Sequence, residues 1–181
     1  MKFPDIDGER QAKVYTRRTA ADCATEFLKI DHIALAVSDL EAATHLFQNI
    51  LGFELRCKRE IKGARTGMKS VEFEHNGIRF VLCMGTEPES QVSRLVDAFG
   101  VGVAHIAFEV NDVDESVDAL KSRGLQFDTE IIRGAGLTQS FSSRDTSTGL
   151  SFEFINRNNI DGFEEDNVQA LFNQLEDSSK F

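Results

Sequence analysis

Three residues carry the chemistry to which this sequence points, and an internal repeat picks them out. His32 lies in Ile30-Asp31-His32-Ile33-Ala34-Leu35-Ala36-Val37, and His105 in Val103-Ala104-His105-Ile106-Ala107-Phe108-Glu109-Val110. Each histidine is followed by an apolar run, by an aspartate at the same offset (Asp39, Asp112), by an amphipathic stretch and by a glycine (Gly52, Gly124). If the two copies pack face to face, the two imidazoles come from equivalent strand positions and can point at one centre. Aligning the last hairpins sets Gly77-Ile78-Arg79-Phe80-Val81 against Gly149-Leu150-Ser151-Phe152-Glu153, so the second copy has a carboxylate where the first has Val81. A carboxylate flanked by Phe152 and Phe154 in mid-sheet is costly to bury alone, and a cation relieves that cost. Two histidines and one carboxylate, with positions left open, form the ligand face of non-haem Fe(II) oxygenases. Closed tetrahedral zinc would want a fourth protein ligand, and the fourth place in the repeat is valine.

A lone strand histidine is more often structural than a ligand; the repeat and the carboxylate together argue otherwise for His32 and His105. The other histidines lack that support. His45 falls on the polar side of a helical stretch and His75 in the turn Glu74-His75-Asn76-Gly77, so both are expected in water. Glu164-Glu165-Asp166 is read as the acidic first turn of a helix, where negative charge favours the dipole, and not as a metal site.

The elements that position the three residues follow from periodicity. Residues 30–37 read as a buried strand, and Ser38-Asp39 as the cap of a helix on Leu40, Ala43, Phe47 and Ile50 that ends at Gly52. Strands are expected over 53–61, 68–74 and 78–84, the last two joined by an Asn76-Gly77 hairpin turn. A linking helix over 91–99 leads to the second copy: strand 103–110, cap Asn111-Asp112, helix 113–123, then strands over 126–132, 138–142 and 150–156. The organisation is an α+β fold of two tandem βαβββ modules forming one cupped mixed sheet. Residues 1–28 are an N-terminal arm or cap, 29–85 the first module, 86–102 the linking helix, 103–157 the second module, and 158–181 a C-terminal helix closing the pocket.

Composition narrows the partners. The 181 residues, 41% hydrophobic with 15 phenylalanines, suffice for one buried, aromatic core. A formal net charge of −10 argues against the basic surface that nucleic acids or anionic membranes require, and a small-molecule ligand fits better. Three scattered cysteines (Cys23, Cys57, Cys83) make neither a disulfide framework nor a zinc motif, and a reducing, cytoplasmic setting is expected. No signal peptide or membrane span is expected from the apolar runs. One chain supplies all three ligands, so a homodimer is compatible with the site but not needed by it.

At these residues the chain resembles the vicinal-oxygen-chelate superfamily over about residues 29–176. Within it, the resemblance is to the catalytic C-terminal domain of the 4-hydroxyphenylpyruvate dioxygenase family. It is carried by Thr66-Gly67-Met68-Lys69-Ser70-Val71, Ser90-Gln91-Val92, Gly102-Val103-Ala104-His105-Ile106-Ala107, Leu137-Thr138-Gln139-Ser140-Phe141, Ser151-Phe152-Glu153-Phe154-Ile155-Asn156-Arg157, and Gly162-Phe163 with Asn167-Val168-Gln169-Ala170-Leu171-Phe172. The resemblance implies His32, His105 and Glu153 as ligands of Fe(II), with a 2-oxo acid and dioxygen as substrates. It further implies Ser70, Gln91 and Gln139 as polar pocket residues and Phe141 and Phe163 as aromatic walls. Gln139 has the best independent support, since a glutamine in an apolar strand needs a hydrogen-bond partner.

The departures concern the pocket. The resemblance is to the family's catalytic domain, with no counterpart of the family's N-terminal domain expected; a long insertion after the second histidine is missing, Cys83-Met84-Gly85 replaces Pro-x-Asn, Ala104 replaces a glutamine, and Val168 replaces a pocket phenylalanine. The metal set is kept while the pocket is rewritten, so 2-oxo acid oxidation is expected more than one particular substrate. Two alternatives share the architecture. One is a metal-dependent epimerase or glyoxalase-like isomerase, since residues 91–120 also resemble methylmalonyl-CoA epimerase. The other is a metal-free, ligand-sequestering resistance protein.

Overall fold

The computed structural model describes residues 25–134 and 136–157, together with Gln169 and Phe172. Most of the expected arm, most of the C-terminal helix and Phe163 lie outside the described residues. Phe27 and Leu28, expected in the arm, are the first residues of β1 (Phe27–Ala36).

The first repeat continues through α1 (Leu40–His45), β2 (Glu54–Lys62), β3 (Gly67–His75) and β4 (Ile78–Gly85). After α2 (Gln91–Phe99), the second repeat runs through β5 (Gly102–Val110), α3 (Val113–Ser122), β6 (Ile132–Arg133), β7 (Leu137–Phe141) and β8 (Ser151–Arg157). The strands form one eight-stranded mixed sheet in the order β2-β3-β4-β1-β5-β8-β7-β6. In each repeat the first strand pairs in parallel with the last, while β1 and β5 meet antiparallel at the centre. The copies are thus joined edge to edge, not face to face. The two histidines still converge, because β1 and β5 are neighbours and Ala34 stands opposite His105.

Side chains alternate between the two faces of a strand, and this sorts the sequence into a core face and a site face. On the core face, Phe47 of the first helical segment packs on Val71, Phe73 and Leu82, with Phe53 and Phe80 around them. Val113 and Val117 of α3 pack on Val110 and Phe154, with Phe108, Phe127 and Phe152 at the margin. Burying each such side chain stabilises the fold by about 1.5–3 kcal/mol, enough to hold the strands that present polar groups on the other face. Asp39 and Asp112 cap α1 and α3, accepting the backbone N–H of Ala42 at 2.9 Å and of Glu115 at 3.0 Å. The Asn76-Gly77 turn has positive φ at both residues, 50° and 78°, the conformation that a tight hairpin requires.

Local departures from the expected elements have identifiable causes. The single helix expected over 40–51 changes at Leu46 to a π-helical turn, Leu46–Ile50, which closes with Phe53 N–H donating to Phe47 O at 2.9 Å. The shift brings Phe47 to the core while leaving Leu46 and Ile50 exposed. The strand expected over 126–132 reduces to Ile132–Arg133 plus a lone bridge between Phe127 and Ser142, because Thr129 Oγ1 takes the Phe141 N–H at 2.9 Å in place of a backbone carbonyl. No helix among the described residues is long and apolar enough to cross a membrane.

Candidate metal centre

The repeat is visible in the strand register: Ala34, two residues after His32, pairs with Val81, and Ala107, two residues after His105, pairs with Glu153. Val81 and Glu153 are therefore equivalent positions of the two modules. His32, His105, Val81 and Glu153 line one cavity of about 60 Å³ on the site face. His32 Nε2 stands 3.2 Å from His105 Nε2, and Glu153 Oε2 stands 3.2 Å from His32 Nε2 and 3.4 Å from His105 Nε2. Ligands about 2.0–2.2 Å from an ion lie roughly 2.8–3.6 Å apart on an octahedral or tetrahedral face, so this triangle has the size of a metal-binding face. The second carboxylate oxygen, Glu153 Oε1, is buried with no hydrogen-bond partner among the described residues, an acceptor that a cation would satisfy.

Charge is concentrated here. Burial alone would lower the His32 pKa, but the carboxylates of Glu153 and Asp31 overcome it and push it up to about 9. Burial would raise Glu153, yet the two histidines hold it down at about 2. His105 is lowered, chiefly by burial. In the metal-free protein the His32 imidazolium therefore neutralises Glu153, a role that a divalent ion would take over with release of the proton.

Behind His32 stands a further pair. Asp31 Oδ1 is 2.8 Å from His32 Nδ1, and Arg157 grips the same carboxylate with Nε to Oδ2 at 2.7 Å and Nη2 to Oδ1 at 2.8 Å. Against the upward pull of burial, these hydrogen bonds hold the Asp31 carboxyl far below the usual carboxylate range. An acceptor at Nδ1 places the ring proton there, so the Nε2 lone pair of the neutral ring faces the centre.

Of the five residues expected to line the pocket, Ser70, Gln139 and Phe141 share the cavity with His32, His105 and Glu153, together with Arg59, Met68 and Cys83. Gln91 does not. It lines an adjoining chamber of about 120 Å³, and its Nε2 donates to Phe172 O at 3.0 Å, tying α2 to the C-terminal segment. Phe163 lies outside the described residues. His45 and His75 are exposed, away from the site.

Sequence pattern assigns no role to Asp31, Arg157 or Arg59, and marks Cys83 only as a departure from the family's pocket. Arg59 donates to buried Glu72 at 3.1 Å, and Glu72 also faces Arg79 at 3.4 Å, forming an ionic floor under the module-one side of the cavity. Burial pushes the Cys83 thiol up to about 12, against the pull of Arg59, so it lines the cavity as an apolar thiol and not as a nucleophile. The available signal for Asp31 was its place directly before His32; Arg157, at the end of the last strand, gave none that local pattern could read.

Comparison with known proteins gives a consistent picture of the fold. Residues 29–154 match the family model described as the Glyoxalase/Bleomycin resistance protein/Dioxygenase superfamily. Protein YqjC of Bacillus subtilis (strain 168), which carries no assigned activity, is 24% identical over 98 residues, 54% of this chain and 69% of its own. A triple mutant of 4-hydroxymandelate synthase from Streptomyces coelicolor superposes with a TM-score of 0.74 at 23% identity, over 83% of this chain. This chain spans 54% of that protein, about half its length. Methylmalonyl-CoA epimerase from Mycobacterium tuberculosis superposes with a TM-score of 0.63 at 22% identity, covering 75% of this chain and 91% of the epimerase.

Proposed function

The chain belongs to the glyoxalase/bleomycin resistance protein/dioxygenase superfamily, and within it we propose a non-haem Fe(II)-dependent dioxygenase of the 4-hydroxyphenylpyruvate dioxygenase type, oxidatively decarboxylating a 2-oxo acid with O2. One observation carries this reading: the repeat supplies three ligands and places an apolar side chain, Val81, at the fourth equivalent position inside the same cavity. A three-ligand face leaves room for substrate and dioxygen together. The likeness to 4-hydroxymandelate synthase supports the same direction. Fe(II), when bound, supplies the activation of dioxygen and the oxidative loss of CO2, chemistry that side chains do not provide.

The chain's own residues bind, orient and shield. His32, His105 and Glu153 hold the ion, and Asp31 with Arg157 fixes the tautomer and orientation of His32. Val81, Met68 and Phe141 keep the cavity apolar, while Ser70 and Gln139 offer polar groups that orient the substrate. The edge of Phe141 meets the His105 ring at 5.1 Å between centroids, restraining that ligand. No acid or base need be assigned among these groups.

A metal-dependent isomerase is the second reading, favoured by the likeness to methylmalonyl-CoA epimerases, whose chains are matched over nearly their whole length. Oxygen uptake and CO2 release decide between the two. With anaerobically loaded Fe(II) and a panel of arylpyruvates and aliphatic 2-oxo acids, both gases are expected to change together. Silence across the panel, with substrate proton exchange supported by Co(II) or Ni(II), would establish the isomerase instead.

A further inference from the structure

We propose that Arg144 is an anion-recognition residue, and that the substrate is a 2-oxo acid bearing a second, distal anionic group. The inference rests on the 2-oxo acid reading for the head of the substrate, and on independent features of the adjoining chamber for its tail. That chamber shares Met68, Cys83, His105 and Phe141 with the metal cavity, so the two are continuous. Its remaining lining sets the apolar Val92 and Leu95 of α2, Ala104 and Phe172 beside Gln91, Ser142 and Ser151. Arg144 is the cation in this lining.

The state of that guanidinium is unusual. Nη2 donates to Ala104 O at 2.7 Å, immediately before His105, and Nη1 donates to Gly149 O. The Phe99 ring lies 5.2 Å from Cζ. Among the described residues Nε is buried with no partner, and no carboxylate forms an ion pair with Arg144. Asp128, which shares the lining, instead accepts the Ser143 hydroxyl at 2.5 Å. Burial lowers the pKa of Arg144. A structural arginine is normally neutralised where it is partly desolvated, as Arg157 is by Asp31 in this molecule. Arg144 is instead fixed by two backbone carbonyls and one ring, leaving donors of its planar fork for an external anion.

The geometry thus separates the two ends of the ligand. The 2-oxo acid head belongs with His32, His105 and Glu153; an apolar middle passes Phe141 and Met68; and the anionic tail meets Arg144. 2-Oxo acids of the same length with an uncharged tail fill the same space without that last contact.

The test is calorimetric binding to the Zn(II)-loaded protein, free of turnover. The ligands are 2-oxo dicarboxylic acids of increasing chain length and 4-carboxyphenylpyruvate, each paired with its counterpart lacking the distal carboxylate. A second set, dicarboxylates of the same lengths without the keto group, reports the tail alone. We expect at least one dicarboxylate to bind about tenfold or more tightly than its counterpart. The advantage of each dicarboxylate over its counterpart should shrink with added salt, disappear in Arg144→Gln and be kept in part by Arg144→Lys. Equal affinities at every length in the wild-type protein would overturn the proposal, whether or not Arg144→Gln folds. If the keto-free dicarboxylates show the Arg144-dependent gain while no 2-oxo acid gains from its keto group, the anion site stands and the dioxygenase reading falls.

Discussion

Val81→Glu is expected to abolish oxygen-dependent turnover while strengthening metal binding. Val81 is the repeat-equivalent of Glu153 and already faces the cavity with the three ligands. A carboxylate there supplies a fourth protein ligand and converts an open face into a closed site. Turnover with Fe(II) should fall by on the order of a hundredfold or more, since substrate and dioxygen lose a position. The metal-free variant brings a second carboxylate beside Glu153, and two such groups in one buried site cannot both ionise without cost. It should therefore melt below the wild type, and the metal-loaded variant at or above it. Oxygen uptake in parallel with thermal melting, with and without metal, checks both statements. A Val81→Glu protein that keeps wild-type turnover would show that the fourth position is not the open one.

Arg157→Met should have the largest effect on stability among changes outside the ligand set. It leaves Asp31, buried at the centre of the sheet, with His32 as its one side-chain partner among the described residues. Breaking a buried ion pair by removing one member costs about 3–5 kcal/mol. At about 2–4 °C per kcal/mol for a chain of this size, the melting temperature should drop by roughly 6–20 °C. Metal affinity should fall about 10–100-fold, because the carboxylate that orients His32 is no longer held. The double variant Asp31→Asn, Arg157→Met separates these effects. It removes both charges while keeping an acceptor for His32 Nδ1, so it should recover much of the stability but not the affinity. Thermal melts and metal titrations of the three proteins form the cycle, and an Arg157→Met protein with unchanged metal affinity would reduce the pair to a purely structural role.

What could be read from the sequence was what repeats. His32, His105 and the Val81/Glu153 asymmetry came from aligning two copies, and the βαβββ order came from periods of two and of 3.6 that each copy shows twice. The joining of the copies was not readable: face-to-face and edge-to-edge arrangements use the same alternating pattern, and only the β1–β5 pairing distinguishes them. Nor was the partnership of Asp31 with Arg157, which joins the first strand to the last through the intervening β5. Local pattern also overstates regular structure where side chains compete for the backbone, as Thr129 does beside β7. The pocket residues show the limit of reasoning by position. Ser70, Gln139 and Phe141 reach the cavity of His32, His105 and Glu153 because strand alternation carries them there, whereas Gln91 sits on a helix whose packing turns its amide to Phe172.

The central claim is that Glu153 and the two histidines form a three-ligand divalent-metal site. Equilibrium dialysis of anaerobically prepared protein against Fe(II), comparing the wild type with Glu153→Gln, tests it most directly. One iron per chain in the wild type and loss of stoichiometric iron in the variant, with both proteins folded, is the predicted result. No stoichiometric metal in the wild type, or the same content in both proteins, would contradict it.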